Sequence, residues 1–293
     1  AWYGIVESTQ QLELAEQMTD TFEKNQAFIA NRFDNGLASS LENDLATSAL
    51  ASSQATKTMR ERVRNAQVKE LQSFLGTYPK GDVERNFSDA LPELTVAPLT
   101  TTPAQAMENR PDLQAARSQL EASGYDLSAA KMSLLPSFSM TGGPGSRSED
   151  FGDLLDNRFR TWEISGAVTQ PLFNGGRIRA NIRRSEALRK AAEANYRAVA
   201  IRAFTEAETL IANESFLKKE ENYLKNASMA AQTAAKRSWD RYQRGVLGIF
   251  DTLESQRRAF DAESRLLSSR KERIFNRINL FLALGTPALP NEP

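Results

Sequence analysis

The chemistry open to this chain is narrow. It has no histidine and no cysteine. Ser-His-Asp and Cys-His nucleophiles, thiolates and His- or Cys-ligated metals are therefore excluded. What remains is carboxylates and cations, 37 of each. The densest cation cluster is Arg177, Arg179, Arg183, Arg184, Arg189 and Lys190. Nucleic-acid binding is its sharpest reading, but zero net charge and the absence of interleaved aromatics oppose that; a solvated helix face accounts for it. Glu214/Lys218 and Glu221/Lys225 are four apart, the spacing of ion pairs on an exposed helix face. Asp251, Glu254 and Arg257 gather beside Phe250. The acids show no EF-hand spacing. Gly142-Gly143-Pro144-Gly145 lacks the Lys-Ser/Thr ending and the following helix of a phosphate loop. No enzyme activity, cofactor or metal is expected.

The elements that position these residues are long helices. Residues 177–243 contain neither Gly nor Pro. At 1.5 Å per residue they span about 100 Å, more than the width of a globular domain of this size. A seven-residue beat runs through Tyr196, Ala203, Leu210, Leu217, Leu224 and Ala231, and again through Leu253, Phe260, Leu267, Ile274 and Phe281. That period marks helices that supercoil along a neighbour. Two helical hairpins are expected. One runs over about 2–33, turns at Asn35-Gly36 and returns over 37–75. The other runs over 177–243, turns at Arg244-Gly245 and returns over 246–284. Each turn glycine suits the left-handed position that ends a helix. The chain opens on Ala1-Trp2-Tyr3-Gly4 as if already inside a helix, and its start reads as truncated.

The hairpins are copies. A shift of 209 lays Arg32-Phe33-x-x-Gly36-Leu37 on Arg241-Tyr242-x-x-Gly245-Val246, and Leu75-Gly76-Thr77 on Leu284-Gly285-Thr286 without a gap. This is a two-fold internal repeat. Between the copies, residues 77–106 are rich in Pro and Thr and read as a connector. Arg110-Pro111-Asp112-Leu113 starts a further helix, with Pro at its first position. Two strand-like runs follow. Residues 136–142 set Phe138 and Met140 against Ser137, Ser139 and Thr141; residues 162–170 set Trp162, Ile164 and Val168 against Glu163, Ser165 and Thr169. Alternation of this kind gives one apolar and one polar face. A polar loop is expected from Gly142 to Arg160. The chain lacks the 18-residue apolar run of a membrane-spanning helix, but a spanning β-strand needs only about 10 alternating residues.

Arg110-Pro111-Asp112-Leu113, Leu135-Pro136-Ser137-Phe138, Gln170-Pro171-Leu172-Phe173-Asn174-Gly175-Gly176-Arg177, Arg241-Tyr242-x-x-Gly245 and Leu253-Glu254-Ser255-Gln256-Arg257, in that order, resemble the outer-membrane efflux protein family of TolC-like and OprM-like channels. The resemblance covers essentially the whole chain. It implies a mostly helical fold with a β-hairpin: long coiled-coil-like hairpins forming an α-barrel, plus strands of a trimeric outer-membrane β-barrel. The division it implies is a first helical hairpin at 1–76, an equatorial connector at 77–108, a helix at 109–133, a barrel β-hairpin with an extracellular loop at 134–173, a second long hairpin at 174–285 and a tail at 286–293. Family members are homotrimers in the outer membrane of Gram-negative bacteria, with a large periplasmic part. Each protomer gives four strands to the barrel; this chain supplies only one pair. The implied function is passive efflux of small molecules, including drugs, after docking with a periplasmic adaptor and an inner-membrane transporter. One branch carries an N-terminal lipidated Cys.

The resemblance also assigns roles. Phe250 becomes an apolar plug and Glu254 an acidic ring at a periplasmic gate, with Asp251 and Arg257 beside them; the residues alone read equally as a solvated, charged helix face. Arg32, Phe33, Gly36, Leu37, Arg241, Tyr242, Gly245 and Val246 mark adaptor-docking tips, and Leu41, Glu42 and Leu45 are adaptor contacts or packing positions. Phe138, Met140, Trp162, Ile164 and Val168 face the membrane. Trp162 and Phe159, at one strand end, read either as an aromatic pair at the membrane interface or as core packing. The basic cluster falls where a strand leaves the bilayer, so lipid headgroups become an alternative to a solvated face. The competing class is a periplasmic coiled-coil adaptor without a pore, which would lack the strand pair and the repeat.

Overall fold

The computed structural model describes residues 1–81, 91–92, 94, 110–147, 149, 152 and 160–285. Most of the 77–108 connector, Phe159 and the 286–293 tail lie outside the described residues. The elements in order are α1 (Trp2–Asp34), α2 (Ser40–Phe74), α3 (Pro111–Met132), β1 (Ser137–Ser146), β2 (Arg160–Thr169), α4 (Arg177–Gln243) and α5 (Ile249–Ala283). Among the described residues no helix is long and apolar enough to cross a membrane. The chain divides into two compact units, Ala1–Thr100 with Glu206–Pro293, and Thr101–Thr205.

The first unit holds α1, α2, the later part of α4 and α5. The repeat is visible in its backbone: α2 and α5 are 35 residues each and start and end 209 apart, at Ser40 and Ile249, Phe74 and Ala283. Gly36 and Gly245 adopt φ of 69° and 72°, and Gly76 and Gly285 φ of 68° and 61°. At both tips the amide after the glycine closes a six-residue loop, Leu37 N–H to Arg32 C=O at 2.7 Å and Val246 N–H to Arg241 C=O at 2.9 Å. That is the Schellman ending, which satisfies the last carbonyls of a helix and needs a left-handed residue. A Cβ at Gly36 or Gly245 would meet nothing within 4 Å, so its penalty is backbone strain alone. Gly36→Ala and Gly245→Ala are each expected to destabilise by about 1–2 kcal/mol, equally, in thermal unfolding followed by circular dichroism. A large difference between them would deny that the two tips are equivalent.

The copies differ where the return helices begin. Ser39 and Glu42 form a reciprocal capping box on α2, whereas the corresponding Gly248 offers α5 no side-chain cap. Two apolar clusters form in this unit. Ile5, Val6, Val68, Leu91 and Ile274 make one; Phe22, Ile29, Ala46, Tyr242, Ile249 and Leu253 make the other. Buried and half-buried polar pairs also join α1 to α5: Gln11 donates to Ser264 C=O at 2.9 Å, Lys271 to Glu7 at 2.9 Å, and, fully buried, Asn25 to Gln256 at 2.7 Å. Unlike apolar contacts, such pairs tolerate no sliding of one helix along another.

The heptad beat of α4 appears as burial. From Ala207 to Tyr242 the covered positions alternate by three and four residues, through Leu210, Glu214, Leu217, Glu221, Leu224 and Ser228. Glu214 and Glu221 therefore lie in the seam, not on an exposed face beside Lys218 and Lys225. They pair with α5: Glu214 with Arg277 at 3.1 Å, and Glu221 with Arg273 at 2.8 Å and Arg270 at 3.3 Å. Charge within reach across the seam outcompetes a flexible lysine on the same helix, because the seam already holds the arginine stems.

In the second unit Pro111 occupies the first turn of α3, and Arg110 donates to Asp112 at 2.8 Å and 3.0 Å. That contact holds the Asp112 carboxyl below its ordinary range. β1 and β2 pair antiparallel, Ser137 opposite Thr169 through Ser146 opposite Arg160. The loop expected from Gly142 is corrected: Gly142, Gly143, Pro144 and Gly145 continue β1, opposite Ile164, Glu163, Trp162 and Thr161. Among the described residues these two strands pair with no third, so both are edges, where Pro is tolerated. Ile164 also packs within 3.3 Å of where a Gly142 Cβ would stand.

Candidate functional site: helical tips and strand pair

The tip of the first unit is built around Tyr242. Its side chain is 4% exposed, so it belongs to packing and not to the outer surface of the tip. Its ring centroid lies 5.7 Å from Trp239 and 6.5 Å from Phe28, and the Arg32 guanidinium sits 5.8 Å from the same centroid. The phenol donates to Glu42 at 3.4 Å. Burial pushes the phenol up from its ordinary range, and the Glu42 carboxylate adds to the shift. Three helices thus meet at one aromatic cluster. Of its members, Phe28 and Trp239 were missed in the sequence; their signal is Phe28/Arg32 four apart and Trp239/Tyr242 three apart, each pair on one helix face. Leu37 and Val246 are 67% and 61% exposed, and Phe33 and Arg241 are exposed beside them.

The start of α5 carries the second group. Phe250 is 63% exposed, while its neighbours Ile249, Thr252 and Leu253 are buried. The helix is therefore anchored by three residues and presents the fourth. Phe250 and Glu254 share the edge of a groove of about 180 Å³ with Met18, Phe22, Leu45 and Arg257. Glu254 is not a free carboxylate: Arg258 donates to it at 2.8 Å and Arg257 at 2.9 Å. These contacts, Arg258 first, hold its carboxyl below the ordinary range. Arg257 also reaches Asp261 at 3.1 Å. Asp251, in the first turn, is exposed, and its charge suits the positive end of the helix. Among the described residues no cluster of acids suited to a metal occurs.

The strand pair of the second unit is one-sided. The register puts Phe138 opposite Val168, Met140 opposite Gly166, Gly142 opposite Ile164 and Pro144 opposite Trp162 on one face. Phe138, Met140, Trp162, Ile164 and Val168 are 61–82% exposed. The other face carries Ser137, Ser139, Thr141, Ser165, Glu163 and Thr161. Two strands with a bare apolar face are marginal in water. The described residues thus form a one-sided strand pair in one unit and coiled helices in the other.

The comparisons agree. The family model described as outer membrane efflux protein matches residues 102–286, and the chain belongs to that family. It is 29% identical over 274 residues to outer membrane protein OprJ of Pseudomonas aeruginosa, covering 94% of this chain and 57% of that protein. It is 28% identical over 282 residues to the solvent efflux pump outer membrane protein SrpC of Pseudomonas putida, covering 94% and 58%. The chain thus spans a little over half the length of these relatives. A membrane protein from Pseudomonas aeruginosa superposes with a TM-score of 0.89 at 28% identity, over 97% of this chain and 64% of that one. The outer-membrane channel OprN superposes with a TM-score of 0.90 at 22% identity, over 98% and 64%; that likeness is one of fold.

Proposed function

We propose that the full-length protein is an outer-membrane exit duct of a tripartite efflux pump, working as a conduit and not a catalyst. The observation that carries this is the strand pair, whose apolar face has no cover among the described residues and whose ten-residue strands match the length that spans a bilayer. An open strand edge cannot face lipid, so the wall must close with strands from elsewhere. In this reading 134–173 supplies the barrel, 1–76 and 174–285 supply helical tunnel wall, and 77–108 is the connector between them. Closure takes three copies, each with a second strand pair. The tips around Leu37 and Val246 dock a periplasmic adaptor, which joins an inner-membrane transporter, and Phe250 with Glu254 forms the gate. Cargo is small molecules of the kind the relatives' names mention, solvents among them.

The test is a charge on each face of the hairpin. Ile164→Arg is expected to cost about 2–4 kcal/mol near the bilayer midplane and to abolish outer-membrane assembly. Ser139→Arg, on the polar face, is expected to assemble. Assembly is read as heat-modifiable oligomer in the outer-membrane fraction. Equal assembly of both variants would mean that the apolar face does not meet lipid.

A further inference from the structure

The roots of the two strands carry an arrangement that the conduit reading does not use. Gln170 donates to the Leu134 carbonyl at 3.0 Å and ties the roots together. Around that tie Leu134, Leu135, Leu172 and Phe173 are exposed, Leu172 and Phe173 at 93% and 91%. Gly175 and Gly176, both at positive φ, then turn the chain into α4. Its first eight residues hold Arg177, Arg179, Arg183 and Arg184, and no acid occurs from Gln170 to Ser185. All four arginines are exposed, and among the described residues none has an ion-pair partner. The helix's own positive end opposes cations there, so electrostatics among the described residues does not explain them.

We propose that the strand roots and the first two turns of α4 form a collar that binds the anionic headgroups of phospholipids. This rests on the membrane-spanning reading of the hairpin. The four arginines lie within about 11 Å of one another along the helix, a span of roughly one Debye length. Leu134, Leu135, Leu172 and Phe173 enter the acyl boundary, and the guanidiniums fork onto phosphate oxygens above it. Two separable faces take part. Arg177 and Arg184 are seven apart and share one; Arg179 and Arg183 are four apart and share another. The collar fixes the depth of the hairpin and selects anionic over zwitterionic lipid.

The test uses full-length protein reconstituted in vesicles of phosphatidylcholine, with and without phosphatidylglycerol, and counts retained lipid by native mass spectrometry. The wild type is expected to enrich phosphatidylglycerol, by up to about fivefold per arginine at the surface, and to lose the enrichment at high salt. The variant R177Q/R179Q/R183Q/R184Q is expected to enter pure phosphatidylcholine as the wild type does but to show no enrichment. Enrichment retained in that variant, or absent from the wild type, overturns the proposal. A variant that keeps the wild-type helical circular-dichroism spectrum but loses oligomer in phosphatidylcholine as well shows that the arginines serve a neighbouring copy, and also overturns it. The pairs R177Q/R184Q and R179Q/R183Q, and the salt titration of the wild type, decide the matter if the quadruple variant does not fold; salt-independent enrichment counts against the collar. Failure of the membrane reading looks different: the wild type then enters no vesicle, and both ideas fall.

Discussion

Full-length protein carrying Phe250→Ala and Glu254→Ala is expected to conduct on the order of tenfold more than wild type in planar bilayers, the effect of removing about 1.4 kcal/mol of dewetting barrier. Phe250 can be truncated without opening the core, because it is exposed while Ile249 and Leu253 beside it hold α5 in place. Glu254 lies one turn away, on the same groove edge. Its loss acts differently from the loss of a lone acid, because it frees the guanidiniums of Arg257 and Arg258 that it now accepts from. The double variant should therefore shift ion selectivity toward anions and weaken block by divalent cations. Wild-type conductance together with unchanged selectivity would show Phe250 and Glu254 to be ordinary surface positions.

Arg273→Met is expected to be the most destabilising single change in the α4–α5 seam, by about 3 kcal/mol. Arg273 is 8% exposed. It bridges Glu221 at 2.8 Å and lies 3.5 Å from Glu214, and it also donates to the Leu94 carbonyl at 3.3 Å. Removing it leaves two poorly solvated carboxylates seven residues apart on one face, with Arg270 and Arg277 alone to answer them among the described residues. Adding Glu214→Gln and Glu221→Gln should restore most of the loss, since neutral amides do not need the counter-charge. Arg273→Lys should rescue little, because an ammonium lacks the planar fork that holds Glu221 and the Leu94 carbonyl while keeping charge beside Glu214. Apparent Tm by circular dichroism of the full-length protein reads all three. Lysine rescuing fully would reduce the network to simple charge balance.

The helices were legible in the sequence because their punctuation is chemical: Gly36, Gly76, Gly245 and Gly285 stand where only a left-handed residue ends a helix. The apolar face of the strands was legible from alternation alone. The strand ends were not. Gly142-Gly143-Pro144-Gly145 signals a turn to any local rule, and what keeps it extended is pairing with Thr161–Ile164, a long-range fact. Glu214 and Glu221 were misplaced for a related reason: spacing of four points to Lys218 and Lys225, whereas the arginines that hold them are about 50–60 residues away. Tyr242 marks a tip by resemblance; its burial against Phe28 and Arg32 of another helix is a long-range fact that no local pattern carries. The residues given gate and docking roles owed those roles to family resemblance. Geometry adds that Glu254 is arginine-bound.

The equal 35-residue return helices act as a pair of matched rulers. Deleting one residue from α5 would rotate everything beyond it by about 100° and carry Arg273 and Arg277 out of the seam. Removing seven preserves the face but shortens the ruler by two turns. A length change confined to one copy would leave one tip protruding past the other. Viable insertions and deletions in these hairpins should therefore come in sevens, and in both copies together.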